Sequence, residues 1–363
     1  MQLRIAAIFA AFLATAAVAG NVEVCIPKTL QIPMLRCMTY LFFCVVFQNN
    51  VSCIATSYNQ IPVTKNCTEI TIRGPFTVPA NSKIDLTGLI TGTKIVITGE
   101  ITFTKGTLDK TNDLVTIGGS DITIDGSKGI FYGSGPDYWD GKGSNGGINK
   151  PKFIRLKNLS GTIEGLTVKG SPIHTFAISG CTGLTLSGIT IDNRAKVYNN
   201  DDCLAVNSGS NIYFKNNLCV GGHGISVGSI KPDQIVDGVY VNNCTVSNSA
   251  NGVRIKAYAD ATGGAARNIH YSDIALSGIY NFSIIIQQDY TNEGATGIPG
   301  GAAPISNVYL KNIHGTMSCG ERVYINCAKC TNFNFQNIAI TGAVVRLSSL
   351  RVVESPPGPL AVP

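Results

Sequence analysis

Three short segments place charged groups inside an otherwise apolar, β-branched chain. The first, Asn199-Asn200-Asp201-Asp202-Cys203, carries two adjacent carboxylates. Neighbouring side chains on a regular strand point to opposite faces. Asp201 and Asp202 therefore either converge at a bend beside a cleft or belong to a solvated Asn/Asp turn. The second, Gly221-Gly222-His223-Gly224, holds one of only four histidines. Its glycines would let a ligand or another backbone approach closely, although a plain surface turn has the same composition. The third, Asn251-Gly252-Val253-Arg254-Ile255-Lys256, sets Arg254 and Lys256 on one strand face and Val253 and Ile255 on the other. Two such cations suit a solvated face, and they also suit a clamp on a carboxylate-bearing ligand.

Spacing joins the three. From 202 to 223 is 21 residues and from 223 to 254 is 31, each close to a repeat step in the chain. Short β-branched runs, bounded by Gly, Asn and Ser, recur with first apolar residues at 163, 184, 212, 239 and 269, and again at 308 and 333. The steps are 21, 28, 27 and 30, then 25. The runs have strand length and none sustains helical spacing. Propeller blades of about 40–45 residues would be too long. Asn at the turns tolerates the left-handed conformation. The expected fold is all-β, a parallel β-helix whose stacked coils support their neighbours, with an antiparallel β-sandwich as the competing arrangement. In stacked coils, Asp201, Asp202, His223, Arg254 and Lys256 would line one groove. Paired carboxylates there would do general acid and base work at glycosidic bonds.

Composition agrees with a folded, exported chain. Of 363 residues 44% are hydrophobic and 14% charged, which excludes disorder, and no G-X-Y period marks a collagen fibre. The net charge of +6 suits a polyanionic partner, but no basic block points to nucleic acid. Met1 to Ala19 reads as a signal peptide, with Arg4 before an apolar run and Ala17-Val18-Ala19 at the cleavage site. The twelve cysteines also favour an oxidising, extracellular location. Residues 20–52 stay unassigned, since the apolar run Met38 to Phe47 is too short to span a bilayer. A domain over 53–342 and a disordered Pro-rich tail over 343–363 complete the expected layout, as a monomer.

At Asn200-Asp201-Asp202-Cys203, Gly222-His223-Gly224, Arg254-Ile255-Lys256 and Gln287-Gln288-Asp289-Tyr290 the chain resembles the polygalacturonases, the family 28 glycoside hydrolases. The resemblance extends over roughly residues 53 to 342. It implies a right-handed parallel β-helix, no metal or other cofactor, and inverting hydrolysis of the galacturonan backbone of pectin. Carried over, Asp201 would be the general acid and Asp202 would help activate water. His223 would tune the carboxylates, Arg254 and Lys256 would bind the uronate carboxylate, and Tyr290 would contact substrate. It also implies bridges Cys53–Cys67, Cys203–Cys219 and Cys327–Cys330, with Cys181 and Cys244 as buried thiols.

One departure stands out. The family carries an Asn-Thr-Asp motif one coil before the paired Asp, and that Asp shares in activating the water. Here Asp192-Asn193 runs through Arg194 to Tyr198 straight into Asn199. One step of 28 residues, from Leu184 to Ile212, stands where the family has two coils. A solenoid can lose a coil and still stack. Asp192 is the nearest acid, but no spacing supports it as a substitute. Two other functions are weighed: a non-catalytic pectin-binding protein on the same fold, and a pectate lyase, which would need a calcium-binding carboxylate cluster.

Overall fold

Ile, Val, Thr and Phe fill the short runs, and branching at Cβ fits a pleated surface. Asn, Asp and Gly end the runs because they accept positive φ. Apart from Ser134, every described non-glycine residue with positive φ is Asn or Asp. A computed structural model describes residues 22–29, 40–47, 53–194, 201–342 and 351–352. Among them the only helical pieces are single turns at Tyr58–Gln60, Ile61–Thr64 and Gly135–Asp137.

The main sheet joins 23 strands, and its rungs form three parallel ladders. One ladder passes through Val115, Ile154, Phe176, Leu204, Ile225, Val253 and Ile284, each the register partner of the next. A second runs through Ile163, Leu186, Phe214, Val241 and Tyr271. The third runs through Phe131, Val168, Ile191, Cys219 and Val246. All of these side chains are buried in one continuous core. Parallel rungs at every coil exclude the antiparallel sandwich.

The sequence steps match the register at four places: Leu184 pairs with Ile212, Ile212 with Val239, Val239 with Ile269, and Val308 with Phe333. The step from 163 to 184 does not. Leu184 sits on Gly161, and Ile163 pairs with Leu186. Gly161 takes an inward position that an apolar residue was expected to fill, because a Cβ there would lie 2.1 Å from the Ile122 carbonyl oxygen. Phe176 pairs with Leu204 and Leu184 with Ile212, so the stack closes with no gap between these coils.

Disulfides Cys53–Cys67, Cys203–Cys219 and Cys327–Cys330 are formed, and Cys181 and Cys244 are buried thiols. Cys203 follows Asp202 directly and bridges 16 residues onward. Replacing both Cys203 and Cys219 by Ala should lower stability by about 3 kcal/mol, the loop-closure value for a loop of this length. The denaturant midpoint reads this directly.

By its contacts the chain divides at Val51 and Ser52. In the first unit Val22–Thr29 pairs antiparallel with Tyr40–Phe47. The signal segment 1–19 lies outside the described residues. So does most of the tail, except that Arg351–Val352 pairs parallel with Asn326–Cys327. No described helix is long and apolar enough to cross a membrane.

Candidate active site

The turns that lead into the first ladder's strands stack in one column. Two residues ahead of the partners Phe176, Leu204, Ile225 and Val253 stand His174, Asp202, His223 and Asn251. Lys152 and its partner Asp113 continue the column below His174. The backbone enforces this stacking: Thr175 N–H donates to the Asp202 carbonyl, Cys203 N–H to that of Gly224, and His223 N–H to that of Asp201. Gly224 has φ +88°, and a Cβ on it would come within 2.3 Å of the Asn251 carbonyl oxygen. Only glycine lets the His223 coil close on the next.

The side chains meet over this column. His174 Nε2 lies 3.0 Å from Asp201 Oδ1 and 3.7 Å from Asp202 Oδ2. The Asp202 backbone N–H donates to Asp201 Oδ1 at 2.8 Å. Asp202 is fully buried, with Ser226 Oγ donating to its Oδ1 and Lys256 Nζ to its Oδ2, both at 2.6 Å. Asp201 Oδ2 is also buried but has no partner among the described residues. The groove above holds about 660 Å³. Lys110, Lys152, Arg155, Lys231, Arg254 and Lys256 line it, against the acids Asp201 and Glu293. Such a wall attracts a polyanion.

Protonation follows from these contacts. Burial pushes the Asp201 carboxyl up, yet His174, then His223 and Lys256, hold it well below the usual carboxylate range. Burial likewise opposes ionisation of Asp202 and repulsion from Asp201 adds to it, but Lys256 and Arg254 prevail and keep it low. Burial lowers Lys256, while Asp202 at hydrogen-bond distance draws it back up. Burial takes His223 down to about 4, against the pull of Asp201 and Asp202. His223 is thus a neutral imidazole in all but strongly acidic solution. Tyr290 is pushed up to about 12 by burial. Its ring lies 5.2 Å from both the Arg254 guanidinium and the Lys256 ammonium.

Every residue singled out in the sequence reaches this groove or its floor, but two arrive differently. Arg254 is not stacked on His223. Its register partner is Ser226, so it stands further along the strand, and the residue above His223 is Asn251. Lys256 was expected to hold a uronate, yet its ammonium is committed to Asp202. Arg254 has no ion-pair partner among the described residues and remains the available clamp. Carboxylate oxygens of Asp201 and Asp202 lie within 4.8 Å of each other. That is closer than the roughly 6.5–9.5 Å expected for a water held between two carboxyls, because the two residues are adjacent in one turn.

Sequence reasoning missed His174. The signal was there: 174 to 202 is 28 residues, the same step that joins Leu184 to Ile212. Asp192 is excluded as a substitute acid, since it lies on the third ladder and binds Arg194 at 2.7 Å. By donor type, His174, Asp201 and Asp202 could hold a metal ion. The Lys256 ammonium, however, already supplies the cation to Asp202 Oδ2.

Comparison with known proteins shows the family. The family profile described as Glycosyl hydrolases family 28 matches residues 67–196 and 193–356, two stretches that overlap at 193–196. An endo-polygalacturonase of Sclerotinia sclerotiorum is 42% identical over 295 residues, 73% of this chain and 77% of that protein. A polygalacturonase of Penicillium griseoroseum is 41% identical over 309 residues, covering 76% and 81%. Endopolygalacturonase I of Stereum purpureum, solved with two galacturonates, superposes with a TM-score of 0.64 at 30% identity, covering 81% of this chain and 98% of that one.

Proposed function

The chain belongs to family 28 of the glycosyl hydrolases, and from that membership we propose that it is a secreted polygalacturonase, an endo-acting hydrolase of the α-1,4-galacturonosyl bonds of pectin. The fold would be the family's right-handed parallel β-helix, with residues 53–342 as its catalytic domain, acting as a monomer outside the cell. One observation carries the reading. A buried carboxylate pair with one unpartnered oxygen, Asp201 Oδ2, faces a cation-lined groove in which Arg254 is uncommitted.

In this reading Arg254, over the Tyr290 ring, takes the uronate carboxylate. Asp201 protonates the departing glycosidic oxygen while water attacks the anomeric carbon from the other side. The carbon–oxygen bond to the leaving sugar breaks as the bond to water forms. The water's proton passes to Asp202 and on to solvent, and Asp201 is reprotonated from solvent. Asp202 is a poor direct nucleophile because both its oxygens accept hydrogen bonds, which supports single displacement. His223 fixes the turn through its backbone N–H to the Asp201 carbonyl and is charged only in strongly acidic solution.

The test is release of new reducing ends from polygalacturonate by the full chain. Release that persists in EDTA and leaves no ultraviolet-absorbing unsaturated ends supports the hydrolase. Release that EDTA abolishes, with unsaturated ends, would make it a lyase. Binding without release would leave a non-catalytic pectin-binding protein. Proton NMR of the first product should show the β-anomer, inverted from the α-linkage, and an initial α-anomer would overturn single displacement.

A further inference from the structure

Among the described residues His174 is the one ionisable group within 4 Å of both carboxylates that the hydrolysis above leaves without a role. A carboxylate oxygen only accepts, so at 3.0 Å from Asp201 Oδ1 the His174 Nε2 atom must carry the hydrogen. The other ring nitrogen, Nδ1, is buried and unpartnered among the described residues. Among the described residues Asp201 Oδ1 thus receives the Asp202 N–H and has His174 Nε2 at ion-pair distance, while Oδ2 has no partner.

We propose that His174 is a positioning residue that keeps Oδ1 of Asp201 an acceptor, reserves Oδ2 as the atom that delivers the proton, and confines turnover to acidic solution. This rests on the hydrolase reading for its consequence, though not for its geometry. A carboxylic acid that accepts at one oxygen can carry its proton only at the other. Each donor on Oδ1 also stabilises the anion, so Asp201 takes up the catalytic proton only when solution is acidic enough. That agrees with the low position of its carboxyl, for which His174 is the largest opposing influence to burial. The charged and titratable groups facing His174 are few. Asp201 and Asp202 lie on the coil above, Lys256 beyond Asp202, His223 one coil further, and Lys152 on the coil below.

The experiment compares pH profiles of kcat/KM on polygalacturonate for the unaltered chain, His174→Leu and His174→Gln. The alkaline limb reports the acid that must be protonated. His174→Leu removes the donor, and the limb should move up by about one pH unit or more. His174→Gln restores a neutral donor and should fall between. KM should change less than twofold, since Arg254 and not His174 is assigned the uronate carboxylate. A limb that stays in place in both variants, with near-ultraviolet circular dichroism unchanged, would overturn the proposal. Carbon-13 NMR of the Asp201 carboxyl decides the matter without turnover. It should stay ionised below the ordinary aspartate value near 3.9 in the unaltered chain, and should protonate at higher pH in His174→Leu. An identical titration in both would overturn it. If the unaltered chain releases no reducing ends at any pH, the hydrolase reading fails while the titration still decides the role of His174.

Discussion

Asp201→Asn is expected to lower kcat on polygalacturonate by about 10²–10⁴-fold, the usual contribution of a positioned proton donor, with KM within a few-fold of its original value. The substitution is close to isosteric. The amide oxygen can still accept from His174 Nε2 and from the Asp202 N–H, now at 3.0 and 2.8 Å from Oδ1, so the turn should keep its shape. What is lost is the oxygen that can carry a transferable proton, Oδ2, buried and unpartnered among the described residues. The alkaline limb of the pH profile should vanish along with the rate, because the group it reports is gone. Initial rates of reducing-end formation check the first point and the profile of the residual activity checks the second. A fall of less than tenfold would place the acid on another residue, and among the groove's lining acids only Glu293 would remain.

The repeat was legible in the chain because a solenoid writes its geometry locally. Each coil buries the same type of residue at the same place, so the steps from Leu184 through Ile212 and Val239 to Ile269 could be read as apolar spacing alone. Gly161 breaks that spacing, because its inward position is set by backbone crowding against Ile122 and carries no apolar signal. The stacking of Asp202 on His223 was legible for the same reason as the repeat. The place of Arg254 was not, because spacing to the nearest coil cannot say how far along its strand a residue stands. The Lys256–Asp202 pair crosses 54 residues. It depends on the reach of a lysine side chain over two coils, which no one-dimensional pattern records. His174 sits between Ile173 and Thr175, with no polar cluster to draw attention. It meets Asp201 only through the stacking of Phe176 on Leu204, which a linear reading of the chain does not display.

Lys256→Met is expected to cost about 3–5 kcal/mol of stability near neutral pH, the usual result of removing one partner from a buried ion pair. Methionine roughly matches the length of the lysine stem, so most of the loss should come from charge and not from volume. Asp202 is fully buried, and after the change only Ser226 Oγ and the more distant Arg254 and His174 compensate it. The pH dependence tells this apart from a packing defect. In the unaltered chain the folded value of Asp202 is depressed below that of the unfolded chain, with Lys256 the main opponent of burial. The pair therefore contributes stability above the unfolded value, near 3.9, and that contribution fades as pH falls towards the folded value. In Lys256→Met burial and Asp201 dominate, and the folded Asp202 rises above its unfolded value. The variant then gains relative to the unaltered chain as the solution is acidified. Denaturant midpoints at pH 7, 5 and 3.5 should show a gap that narrows steadily towards acid. A gap of constant size would mean that packing around the lysine stem, and not the charge on Asp202, is what Lys256 supplies to the folded state. Activity should also fall towards acid, because an Asp202 that has taken up a proton can no longer accept one from the attacking water.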